Sequence, residues 1–150
     1  MSSKSARRRA REFALQGVYQ WLLSGNSVPQ IEDQVQQAGG FDKADVELFH
    51  TLLRGTLNAA DTLEAHFAPF IDRGVGELSP IERAVLLLGT YELSTQIEVP
   101  YKVVINEAIE LTKSYGGTDG HRFVNGVLDK VAGVLRATEV AARKAGAKGG

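Results

Sequence analysis

The densest chemistry in this sequence is the stretch ARRRAREFALQGVYQW, where four of the five residues from Arg7 to Arg11 are arginine and Lys4 adds a further cation just upstream. A guanidinium presents paired N–H groups that match phosphate oxygens, so the run is chemistry for a polyanion. Its placement carries a local cost: apolar residues at helical spacing follow at once, and the start of a helix disfavours cations. On a helical wheel, Arg7 and Arg11 fall on the shoulder of the stripe Ala10, Phe13, Ala14, Gly17, Val18 and Trp21, while Arg8 and Arg9 lie further round. Glu12 can answer Arg8 or Arg9, but Arg7 and Arg11 have no acidic residue at i±3 or i±4. Unpaired arginines suit phosphates; solvated surface charge is the other reading. On the face away from the stripe, Leu15 and Tyr19 stand one turn apart beside Arg8 and Glu12. That pattern predicts either a protein-docking strip or packing against another helix of the same domain.

Signals for catalysis are poor. His50, His66 and His121 are far apart and none sits in a metal-ligand pattern. There is no cysteine, hence no thiol nucleophile, disulfide framework or thiolate metal site. Gly116-Gly117-Thr118-Asp119-Gly120 resembles a phosphate loop only superficially, lacking a preceding strand and a GK[ST] ending. Free N–H groups of the helix that follows could meet a phosphate, but the favoured reading is a helix stop followed by a start capped by Asp119. Asn106, Glu107 and Glu110 share a helix without metal spacing and read as capping, packing or surface groups. No catalytic residue, metal or cofactor is expected, and no small-molecule substrate.

At 150 residues, with 43% hydrophobic and 23% charged residues, the chain suits one globular domain with a real core. No apolar run approaches the ~18 residues of a membrane span, and the basic start lacks a signal peptide's apolar segment, so a cytoplasmic protein is expected. The formal net charge of −1 hides an uneven distribution. Residues 1–11 are purely basic, and 136–150 carry Arg136, Arg143, Lys144 and Lys148 against Glu139 alone. The segment between is strongly acidic, which predicts a polyanion at the basic end and suits a basic partner on the body.

The elements that must position these groups read as helices throughout, and no stretch alternates as a strand should. A first helix carries the arginine run until SGNSVP breaks it. A short helix follows near 30–38, stopped by GGFD. A single long helix is predicted from near Asp42 to Pro69. Ser79, Pro80 and Glu82 form the clearest start signal in the chain, an N-cap, a first-turn proline and a capping box, opening a helix that runs to about Ser94. Pro100 opens the next, ended by Gly116-Gly117, and the last carries Val124, Val127, Leu128 and Val131 inward. This predicts an all-α domain over 1–135, about seven helices in two packed groups, with 136–150 as a basic disordered tail. Phe123, just after the glycine loop, is open to two readings: core, or an exposed stacking platform.

Three segments, ARRRAREFALQGVYQW, LSPIERAVLLLGTYEL and VPYKVVINEAIELTKSYGGTDGHRFVNGVLDKV, together resemble the NusB family of bacterial transcription antitermination factors, over about residues 4–135. The resemblance implies two three-helix bundles side by side and no enzymatic activity. It implies pairing with NusE, a small-subunit ribosomal protein, and binding of boxA RNA from ribosomal RNA operon leaders within an RNA polymerase antitermination complex. Carried over by motif, Lys4, Arg7, Arg8, Arg11, Asp119, Arg122 and Phe123 would belong to the RNA surface. Glu12, Tyr19, Glu77 and Glu82 would join Leu15 at or near the NusE surface. The alternative is an RNA-binding accessory module similar to the N-terminal domain of RNA cytosine methyltransferases, whose α/β catalytic domain 150 residues leave no room for. A helical dimerisation protein would explain Leu15 and Tyr19 but not the arginines.

Overall fold

The computed structural model describes residues 2–117 and 119–149, with side chains to residue 146. Among these residues eight α-helices follow one another: α1 (Lys4–Ser24), α2 (Val28–Gln36), α3 (Val46–Asn58), α4 (Ala60–Phe67), α5 (Pro80–Thr95), α6 (Tyr101–Tyr115), α7 (Gly120–Leu135) and α8 (Ala137–Gly149). Among the described residues there is no strand. Helices α1, α2 and α3 pack as one group and α5, α6 and α7 as another, with α1 and α3 also lying against α5. The two groups share one continuous core, from Ala10, Ala14 and Val18 through Phe49 and Leu53 to Leu86, Leu93 and Leu128. Gly17 lets α1 and α3 close up, since a Cβ there would stand 2.6 Å from Leu53 Cδ1.

The helix starts follow local side chains. Ser3 Oγ accepts the Ala6 N–H at 3.0 Å, and Ser27 forms a capping box with Gln30. Ser79 caps α5 by accepting the Glu82 N–H at 3.2 Å. The reciprocal half differs from the predicted capping box: the Ser79 hydroxyl donates to the Glu82 carboxylate at 2.7 Å. Asp119, expected to cap α7, makes no side-chain cap bond. Its backbone carbonyl instead accepts the Arg122 N–H at 3.2 Å, so a backbone turn does the work of the cap.

The long helix predicted from Asp42 is three pieces. Residues 41–43 form a 3₁₀ turn, Asp45 caps α3 by accepting the Leu48 N–H at 3.0 Å, and the chain breaks at Ala59, φ −110°. The break re-aims the apolar stripe. Leu53 and Leu57 sit on α3, packed on α1, whereas Leu63 and Phe67 sit on α4, which packs on α5 and α7.

The disordered tail expected from 136 is also corrected, because the chain continues as α8. Arg136 is buried, and its guanidinium donates to the carbonyls of Leu93 (2.6 Å), Gln96 (3.0 Å) and Val99 (3.1 Å). These groups lie at or just beyond the end of α5, where helix carbonyls lack internal partners. Glu139 pairs with Arg136 and accepts the Tyr101 N–H at 2.8 Å, capping α6. One i,i+3 pair thus closes both ends of the α5–α6 connection. Composition hid this, because two charged residues supply the anchorage that apolar ones usually do. Thr118 and the Lys148 side chain lie outside the described residues.

Candidate nucleic-acid interface

The arginine run does not act as a unit. Arg11 is buried, and its Nε and Nη2 donate to Glu92 Oε1 and Oε2 at 2.7 and 3.1 Å. Burial works against the Arg11 charge, but the hydrogen-bonded Glu92 carboxylate outweighs it and holds the guanidinium above its ordinary pKa. Arg8 makes the same two-pronged contact with Glu107, at 3.1 and 3.0 Å. Its side chain is 47% exposed while that of Glu107 is 9% exposed, and the hydrogen bonds to Glu107 raise its pKa. The expectation that Arg11 stays unpaired is therefore overturned, and Arg8 pairs with Glu107 in place of the Glu12 that lies one turn away. Arg11 can meet no phosphate without stranding a buried carboxylate. Sequence did carry a signal: Glu92 and Glu107 interrupt apolar helix faces, and an acid at a buried position requires a cation.

Leu15 is buried at 1% exposure, so it is no docking residue. The wheel assumed one buried face for α1, but α1 lies between two groups of helices. Arg11 and Leu15, one turn apart, belong to the side that meets α5.

Lys4 and Arg7 remain exposed and make no salt bridge among the described residues. Arg7 Nη1 donates to the Ser2 carbonyl at 2.6 Å. Together they line a cleft of about 510 Å³ whose lining also includes Gln96, Val99, Pro100 and Val103 and the carboxylates of Glu98 and Glu107. Asp45 also borders it; its carboxyl is held below its ordinary pKa, first by the Leu48 N–H and further by Ser2 and Arg7.

Helix α6 runs beside α1 and joins this cleft to the glycine loop. Lys4 and Arg8 share a second groove with Val103, Asn106, Glu107, Glu110 and Lys113, and further along α6 Tyr115 comes near Glu12. Burial, then the Glu12 charge, push the Tyr115 hydroxyl above its ordinary pKa. Tyr115 is 41% exposed and was not picked out from sequence, because it reads as the last stripe residue of α6. Glu12 and Tyr19 are half-buried on the α1 side of the same strip.

The loop after α6 folds back tightly. A Cβ on Gly116 would stand 2.8 Å from the Thr112 carbonyl, which makes glycine the fitting residue there. Gly120 lies against Glu82, so Glu82 borders the loop that bears Asp119 and the start of α7, where Arg122 sits. Asp119 and Arg122 are exposed and Phe123 is half-buried against the core. The guanidinium carbon of Arg73 sits over the Phe123 ring, 4.9 Å from its centroid. Glu77 is exposed and accepts the Gly74 N–H at 2.9 Å. The structure thus gathers Glu12, Tyr115, Glu82, the glycine loop and Phe123 toward one end of α6, and Lys4 and Arg7 at the other. Among the described residues no group of His, Asp and Glu could hold a metal ion, and no helix is long and apolar enough to cross a membrane.

Comparison with known proteins bears on the family and the fold. A family model described as the NusB family matches residues 8–133. A transcription antitermination protein NusB from Aromatoleum aromaticum is 72% identical over 142 residues, covering 95% of this chain and 98% of that one. A second from an Azoarcus species is 67% identical over 146 residues, covering 97% and 94%. Those names denote a transcription factor, not an enzyme. Among solved structures, T. maritima NusB superposes with a TM-score of 0.77 at 27% identity, covering 89% of this chain and 94% of that one. A complex of antitermination factors NusB and NusE with dsRNA matches with a TM-score of 0.76 at 23% identity, covering 86% and 97%, a likeness of fold.

Proposed function

The chain belongs to the NusB family, and from that premise we propose that it is an antitermination factor that binds boxA RNA and pairs with the ribosomal protein NusE in a transcribing RNA polymerase complex. The observation that carries the RNA half is the division of labour at the head of α1. Arg11 and Arg8 are committed to Glu92 and Glu107, while Lys4 and Arg7 stay exposed over a cleft bordered by Val99, Pro100 and Val103 and by the carboxylates of Asp45, Glu98 and Glu107. Phosphates meet Lys4 and Arg7, and the outer edge of Arg8, which retains unused N–H groups, completes the contact. From there the strand follows α6 to Asp119, Arg122 and Phe123. The NusE surface is the strip of Glu12, Tyr19 and Tyr115 with Glu77 and Glu82 beyond it, acidic enough to suit a basic ribosomal protein. The neighbouring complex of NusB, NusE and dsRNA supports both partners.

The test is a titration with boxA RNA, scrambled RNA and duplex DNA, with and without NusE, on wild type, Arg7→Ala and Tyr19→Ala. Arg7→Ala should lower the salt slope of RNA binding by about 0.7, the value for one phosphate on a single strand. Tyr19→Ala should weaken NusE binding by about 1–3 kcal/mol as an interface anchor. Equal affinity for boxA and scrambled RNA with NusE present would refute boxA recognition.

A further inference from the structure

We propose that Arg73, stacked on Phe123, is the surface on which an RNA base stacks, with Phe123 as its support rather than the platform itself. The proposal deepens the RNA reading above and rests on it. Phe123 is half-buried, packed against the core, and Arg73 lies over its ring. An incoming base therefore meets the guanidinium before it meets the ring. A guanidinium is planar, weakly hydrated and stacks on nucleobases as it does on aromatic rings, while its edge N–H groups stay available to phosphate or base-edge oxygens. Arg73 is placed for this from below and behind. The Phe123 face holds it by cation–π attraction. The 3₁₀ turn Val75–Glu77 that follows is fixed by the Glu77 carboxylate on the Gly74 N–H. Its one ion pair among the described residues, Nε to Asp72 Oδ1 at 3.2 Å, is with a side chain 84% exposed, a weak competitor for a nucleic acid. Arg73 itself is 44% exposed, so its outer side is open to solvent. Arg122, exposed and next to Phe123 in the chain, supplies a second cation at the same end of α7.

The experiment compares wild type, Arg73→Lys, Arg73→Ala and Arg7→Ala for binding of one boxA-like RNA oligonucleotide across a salt series, with thermal melts as a check on folding. Arg73→Lys keeps the charge and loses the plane. It should weaken binding by at least about fivefold, the lower end for one stacking contact, with an unchanged salt slope. Arg73→Ala should lose as much and also lower the slope by about 0.7. Melting temperatures should stay at the wild-type value, because the side chain is solvent-facing. A loss confined to Arg73→Ala reduces Arg73 to a point charge and overturns the stacking assignment. Wild-type affinity in both Arg73 variants, beside a weakened Arg7→Ala, overturns the Arg73 assignment and leaves the RNA function standing. Failure of the wild-type protein to bind the oligonucleotide overturns both.

Discussion

Arg11→Ala separates a buried structural cation from a ligand-binding one. The substitution leaves Glu92, whose side chain is 3% exposed, without its only salt-bridge partner among the described residues. Removing one member of a buried ion pair costs about 3–5 kcal/mol, because the remaining charge stays desolvated. At about 2–4 °C per kcal/mol for a chain of this size, the melting temperature should fall by roughly 6–20 °C. Arg11→Met combined with Glu92→Leu should recover most of that, since an apolar pair of similar volume avoids the desolvation. Circular dichroism melts on Arg11→Met, Glu92→Leu and the double variant give the coupling energy directly. RNA binding at a temperature where Arg11→Ala remains folded should keep the wild-type salt slope, since this guanidinium reaches no phosphate. A variant that melts within ~1 °C of wild type, or whose salt slope drops by the ~0.7 of one lost phosphate contact, would refute the assignment of Arg11 to the core.

Two further outcomes follow from the end of the chain and from its carboxylates. Deleting residues 141–150 should leave the melting temperature unchanged, whereas deleting 136–150 should lower it by several degrees, because the second removes Arg136 and Glu139 from the α5–α6 connection; equal melting of both truncations would show that α8 anchors nothing. The pH dependence has a fixed sign: Asp45, Glu32 and Glu139 all have pKa values below their ordinary 3.8, 4.5 and 4.5, from the Leu48 N–H, the Arg54 hydrogen bond and the Tyr101 N–H respectively. Their stabilisation is therefore complete above those ordinary values and is lost as pH falls through the lower folded values. Melts between pH 6 and pH 2 should fall mainly below about pH 4.5, and Glu139→Gln should flatten part of that fall; a variant curve parallel to wild type would discard Glu139 as a contributor.

What was legible in the sequence were the elements with local signatures. Ser79-Pro80 starts α5 because a hydroxyl and a proline act within one turn, and Gly116 stops α6 for an equally local reason. The break at Ala59 carries no such mark, since alanine suits a helix; it arises because α3 and α4 bury their stripes against different neighbours. Leu15 and Arg11 were misplaced for a related reason. A wheel finds one apolar face, and α1 has two, the second made of a leucine and a neutralised arginine. Lys4 and Arg7 needed only to be exposed, and they are. The pairing of Arg8 with Glu107 and of Arg11 with Glu92 spans 99 and 81 residues of sequence, beyond any local pattern.

Those long spans bear on the order in which the chain is made. The arginine run is made 81 to 99 residues ahead of Glu92 and Glu107, the carboxylates that pair with it. Until then Arg8 and Arg11 lack these carboxylates, and the nascent segment is a stronger polycation than the folded one. Folding withdraws Arg11 from solution chemistry and leaves Arg8 only its outer edge. Nonspecific polyanions consequently favour the unfolded side by mass action at this segment, and closure of α5 and α6 onto α1 is also the step that releases them.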